Sequence, residues 1–220
     1  MLRKNGGFYL ITELRAAPLP KLLNKMAIHL YFNFYIESEI ERWELWQSKN
    51  AFETIKSDQP LNSRFCNGHI YKNLKSPLAG VGGGPSFGIR KWSGEDALKI
   101  YQTTCDLANK YQYINQYRAW PGPNSNTFIA TILKMSEIEI SLPATAIGKD
   151  YLGPFPKFKI KQNKVHINLL TAGLKLSKKS YWELHFAGLT IGYEKSNGEW
   201  KLPYGKGIFP YAFHEESSLK

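Results

Sequence analysis

Ala27-Ile-His-Leu-Tyr-Phe-Asn-Phe-Tyr-Ile36, followed after the polar stretch Glu37 to Glu41 by Arg42-Trp-Glu-Leu-Trp-Gln47, decides the fold class. Aromatic and β-branched residues crowd the first run, which is the composition of a buried strand. The second run repeats that character, so the two predict an antiparallel hairpin, and Arg64 to Leu74 can supply a third strand. His29 stands out in the first run, because burial penalises a charged imidazole and a histidine there needs a partner or a task. Glu44 on the neighbouring strand is the candidate partner.

Beyond the hairpin, Pro77 to Gly88 is a glycine-rich loop containing Gly80-Val-Gly-Gly-Gly-Pro85. Ser93-Gly-Glu-Asp96 resembles a capping box, in which a hydroxyl accepts from unpaired amides of the first helical turn. Ala97, Ile100, Tyr101, Thr104, Leu107 and Ala108 recur at three- and four-residue spacing, predicting a helix over 94–111. Pro121 and Pro123 predict an extended approach to a second helix, with Asn124 as its N-cap and Phe128, Ile129, Ile132 and Leu133 as its apolar stripe. Pro143 to Tyr151 reads as a loop, and the remainder as short strands and turns. The expectation is one α+β domain over 27–207 with a small antiparallel sheet packed against helices, an N-terminal extension over 1–26 and a tail over 208–220.

The composition is globular, and a formal charge of +11 with pI near 9.5 favours anionic neighbours. Two cysteines, Cys66 and Cys105, make no disulfide framework, which predicts a reducing compartment and a cytoplasmic protein. The basic start is followed by an apolar run, Phe8 to Ile11, too short for a signal peptide. No stretch approaches the roughly 18 apolar residues of a membrane helix.

Cofactor and metal signatures are missing. Gly80 to Gly84 lacks the Lys-Ser/Thr of a phosphate loop and does not match a dinucleotide fingerprint. Cys66-Asn-Gly-His69 has ligand-like spacing without a second pair to complete four ligands, and His166, His185 and His214 are dispersed. Neither a cofactor nor a metal is expected. Ser125 is the better candidate. It falls in the first turn of the helix capped by Asn124, where free N–H groups and the helix dipole favour negative charge. A nucleophile there gains stabilisation of a developing oxyanion from its own N–H.

Trp120-Pro-Gly-Pro-Asn-Ser-Asn-Thr-Phe-Ile-Ala130 and Leu142-Pro-Ala-Thr-Ala-Ile-Gly-Lys-Asp-Tyr151, together with Ile28-His29, Arg42 to Trp46, Lys201-Leu-Pro203 and Gly205, resemble an uncharacterised bacterial family marked by those two motifs. The likeness spans about 27 to 207 and implies no assigned activity. Asn124-Ser-Asn-Thr-Phe128 is also similar to the Asn-Cys-x-x-Phe helix start of permuted papain-like proteins, the NlpC-like and lecithin–retinol acyltransferase-like branches, with serine in place of cysteine and His29 in the expected order. That resemblance implies a permuted papain-like arrangement and a hydrolase or acyltransferase.

Three functions stay open. In the first, Ser125 attacks an amide or ester, including a lipid-like acyl substrate, His29 takes its proton and Glu44 orients the ring. Asn124 and the Ser125 N–H hold the oxyanion, with Asn126 and Trp120 beside the substrate. In the second, the same cleft binds without catalysis. In the third, the acid-free stretch from Tyr151 to Trp182, with Lys157, Lys159, Lys161, Lys164, Lys175, Lys178 and Lys179, associates peripherally with an anionic membrane. Its aromatics are too sparse for a single-strand nucleic-acid platform. Lys149-Asp150 is expected to brace the loop after the Ser125 helix.

Overall fold

The expected hairpin forms, as β2 (Ile28–Ile36) and β3 (Glu39–Gln47), paired antiparallel from Ile36–Glu39 to Phe32–Trp43. The computed structural model describes residues 9–20, 26–47, 68–151, 156–161, 164–169, 172–177, 181–186, 189–195 and 198–202. β4 (Gly68–Lys72) continues the sheet beside β3, at the site of the anticipated third strand; residues 64–67 of that stretch lie outside the described residues. On the other side of β2 lies β1 (Leu10–Pro18), then β5 (Phe87–Ser93), giving the order β4-β3-β2-β1-β5. Residues 10–18 are therefore a strand inside the sheet rather than part of an extension. Their alternation of Leu14 and Ala16 with Glu13 and Arg15 was the missed signal.

Alternation sorts this sheet into two unlike faces. Leu14, Ile28, Leu30, Phe32, Phe34, Trp43, Leu45 and Ile70 enter one apolar core. Two helices cover that face, α1 (Gly94–Ala108) against β1 and α2 (Ser125–Met135) against β2 and β3. Ile100 of α1 and Phe128, Ile129 and Ile132 of α2 are fully buried there. α1 ends earlier than predicted, and Ser93 caps it without a side-chain hydrogen bond.

The residues after the α2 region were expected to be short strands and turns. They are a second antiparallel sheet, a six-stranded meander of β6 (Lys157–Lys161), β7 (Lys164–Leu169), β8 (Ala172–Ser177), β9 (Tyr181–Phe186), β10 (Leu189–Glu194) and β11 (Glu199–Lys201). The architecture is thus mixed α+β with two antiparallel sheets. In the second sheet the register puts Trp200, Tyr193, Trp182, Leu176, Val165 and Ile160 in one cross-strand row. Ile191, Leu184, Leu174, Ile167 and Phe158 form the next row on the same face. The opposite face carries the row Lys201, Gly192, Glu183, Lys175, His166 and Lys159.

Candidate functional site

The two conspicuous motifs of the sequence meet at the N-terminus of α2. Asn124 caps the helix by accepting from the N–H groups of Asn126 and Thr127, while Thr127 Oγ1 accepts from the Asn124 N–H, completing a capping box. Asn124 Nδ2 donates to the carbonyls of Ala119 and Ile147, and Thr127 Oγ1 donates to the Gly148 carbonyl at 2.7 Å. Gly148 has φ of +88°, and a Cβ there would lie 2.6 Å from the Asn124 carboxamide, so only glycine lets the second motif approach the cap this closely. The stretch from Trp120 to Pro123 does not run out as an extended approach. It doubles back, with Arg118 N–H donating to the Pro123 carbonyl, and both of its X-Pro peptides are cis.

Asn126 reaches further. The ladder between β2 and β3 ends at Phe32–Trp43, and Asn126 takes over beyond it: its Oδ1 accepts from Leu30 N–H and its Nδ2 donates to the Ile28 and Ile147 carbonyls, each at 2.9 Å. The carboxamide thus occupies backbone positions that a neighbouring strand would fill. Both asparagine amides are committed to backbone carbonyls, so neither is free to donate to an oxyanion as the sequence reading expected. Trp120 is exposed.

His29 sits between the two residues that Asn126 grips, with its ring on the face opposite the apolar core, 5.0 Å from the Trp46 ring. Its Nε2 is 2.9 Å from Glu44 Oε2, as the sequence anticipated, and its Nδ1 has no hydrogen-bond partner among the described residues. Arg42 was not anticipated. Its guanidinium is fully buried, bonds the same Glu44 oxygen at 2.9 Å and lies 3.7 Å over the Tyr31 ring. Burial pushes the Glu44 carboxyl up, but the bond and charge of His29 and the charge of Arg42 outweigh it, and the group titrates below the ordinary carboxylate range.

The Arg42–Glu44–His29 group belongs to a polar sheet face roofed by the loop between β4 and β5. Arg42 donates to the carbonyls of Ser76 and Ala79, Tyr31 and Asn33 donate to that of Pro77, and Arg15 reaches Ser86. Glu13, bonded by Arg15 and by the Tyr35 hydroxyl, extends the face onto β1; burial and Glu13 together push the Tyr35 phenol up to about 12. At Gly83 a Cβ would come within 2.4 Å of two β1-end carbonyl oxygens, so the glycine-rich loop is a close-fitting cover, not a phosphate cradle. Arg42 Nε and Asn33 Oδ1 are buried without a partner among the described residues. The signal that could have found this face was polar alternation within apolar strands: Glu13/Arg15, His29/Tyr31/Asn33 and Arg42/Glu44.

Ser125 is buried at the first position of α2. Burial pushes the neighbouring Tyr117 phenol up to about 12, against the opposing influence of the Ser125 N–H and hydroxyl. No hydrogen bond joins Ser125 to His29 among the described residues. Asn126, the residue after Ser125, bonds the residues on either side of His29.

A second charged cluster lies where the second motif meets the second sheet. Asp150 pairs with Lys149, Lys175 and His185, and Glu183 with Lys201 at 2.7 Å and Lys149 at 3.6 Å. Burial opposes the charge on Asp150, but Lys149 and Lys175 hold its carboxyl well below the ordinary range; Glu183 is brought to about 2 against burial by Lys149, Lys175 and Lys201. Donor atoms of Asp150, Glu183 and His185 lie within 4.8 Å of one another. Three ammonium groups already neutralise the two carboxylates, so the set fits an ion-pair brace and not a metal centre. Lys175, expected on an anion-binding surface, is in this brace, and Lys164 pairs with Glu139. Lys157 is exposed; Lys178 and Lys179 lie outside the described residues, as do the side chains of Lys159 and Lys161.

A model of the family described as "Protein of unknown function (DUF3750)" matches residues 10–151. The chain belongs to this family. The match starts at the first residue of β1 and ends at Tyr151, so it takes in the whole first sheet, both helices and both motifs, and stops before the second sheet. No curated protein matches, and no solved structure does. Among the described residues no helix is long and apolar enough to cross a membrane.

Proposed function

We propose that the family region of this chain is an acyl hydrolase or acyltransferase acting on an amide or ester, with Ser125 as nucleophile and His29 as base. The observation that carries the reading is the His29 ring itself: Nε2 is fixed by buried Glu44 and Nδ1 is free of hydrogen-bond partners among the described residues. An imidazole oriented through one nitrogen with the other open is what a general base requires. Glu44, held ionised by Arg42, fixes the tautomer and stabilises the imidazolium formed when Ser125 Oγ loses its proton. With both asparagine amides engaged, the oxyanion donor becomes the Tyr117 hydroxyl beside Ser125, which stays protonated at neutral pH. A permuted papain-like relationship accounts for the order of the two residues in the chain.

A fluorophosphonate probe tests the reading. Ser125 is expected to be labelled, and labelling is expected to vanish in Ser125→Ala and His29→Ala while Trp120→Ala labels normally. A folded protein that is never labelled would favour the second reading, a binding cleft without catalysis, for which the buried Arg42 Nε and Asn33 Oδ1, unpartnered among the described residues, speak.

A further inference from the structure

Every strand of the second sheet alternates, and the sense of the alternation is unusual. The polar rows face the Asp150 loop, while the apolar rows face outward. Along those outward rows, from Phe158 on β6 to Trp200 on β11, no residue carries a charge. Phe186 is 68% exposed, Ile160 64%, Trp200 58% and Leu184 51%. Six strands about 4.8 Å apart and about five residues long present a footprint on the order of 500 Å² before side-chain relief is counted. Contiguous apolar patches beyond a few hundred Å² are rare on monomers.

We propose that this outward face is a two-fold interface with a second copy of the same chain. A footprint on the order of 500 Å² on each partner buries about 1,000 Å² in total, the size at which specific interfaces begin, before side-chain relief adds to it. Two such faces, packed at the roughly 10 Å spacing of stacked sheets, would make a sandwich core with aromatic anchors at Trp182, Phe186 and Trp200. Charge would ordinarily oppose self-association of a +11 chain, but the face itself is neutral. The neighbouring lysines do not favour a lipid surface instead: Lys164, Lys175 and Lys201 point to the other face and are paired with Glu139, Asp150 and Glu183. A self-complementary apolar face closes a symmetric pair without further partners.

Sedimentation equilibrium of the full chain tests this. The expected mass is twice 25.2 kDa. Leu184→Glu is expected to give a monomer with an unchanged circular dichroism spectrum. Phe186→Ser, which removes apolar area at an exposed position without adding charge, is expected to weaken the dimer at least tenfold and guards against misfolding of the first variant. In sedimentation, a wild-type monomer at every concentration, an assembly larger than two, or a dimer indifferent to both substitutions would overturn the proposal. Flotation of the wild type with neutral phosphatidylcholine vesicles, lost in Leu184→Glu, would overturn it in favour of a membrane partner.

Discussion

In the first sheet the polar side chains of β1 to β4 lie under the loop joining β4 to β5, and the apolar face is sealed by two helices; in the second, the polar face is held against the 139–150 segment and the apolar face is left outward. Both sheets alternate strictly, so pattern alone would assign both an apolar core and a wet polar side. What differs is how each polar face is satisfied. The first uses two buried carboxylates, Glu44 with one imidazole and one guanidinium and Glu13 with a second guanidinium, closed over by backbone carbonyls. The second uses a dense mixture of lysines and acids that neutralise one another between two parts of the chain. Glu44, fixing one imidazole under a close cover, looks like a site, and Asp150 with Glu183 like a joint.

Substitutions can break or sharpen that contrast. Arg42→Met leaves Glu44 buried without its guanidinium and should cost about 3–5 kcal/mol in denaturant unfolding. Adding Glu44→Leu should restore most of the loss; failure to do so would mean that Arg42 acts mainly by anchoring the loop. Asp150→Asn should cost less, about 2–3 kcal/mol, because Glu183 remains for Lys149 and Lys175. Hydrogen exchange should accelerate across β7 to β10 and stay unchanged in β2 and β3. Equal acceleration in both sheets would erase the distinction between site and joint.

Asn124→Ala removes the α2 cap and two donated bonds, and about 1–2 kcal/mol should be lost, read as a lower melting temperature. The smallest effect is acid sensitivity of the joint. Burial and the nearby Lys175 charge lower His166 to about 3, below its unfolded value near 6.5. The unfolded chain then binds more protons in that window, so stability is full above about pH 6.5 and declines as pH falls toward 3. Glu183 adds a loss between about pH 4.5 and 2, because its carboxylate is favoured in the fold. His166→Leu should flatten the upper part of that decline; an unchanged pH profile would show that His166 is not buried neutral.

The sequence by itself determined the elements whose signal is local. The β2–β3 hairpin, the helix over most of 94–111 and the Asn124 cap follow from propensity, period and capping chemistry, which act within a few residues. It also marked His29 and its partner Glu44, because a polar residue in an apolar strand stands out whatever surrounds it. Tertiary structure alone decided the rest. That the Asn124 and Asn126 amides fasten backbone segments together depends on Ala119, Ile28 and Ile147, partners up to 98 residues away. That Lys175 braces Asp150 instead of facing an anion depends on which side of β8 meets the second motif. Alternation tells that a strand has two faces; only the packing of distant segments chooses which face is covered, because burial energy belongs to pairs of surfaces and not to either one alone.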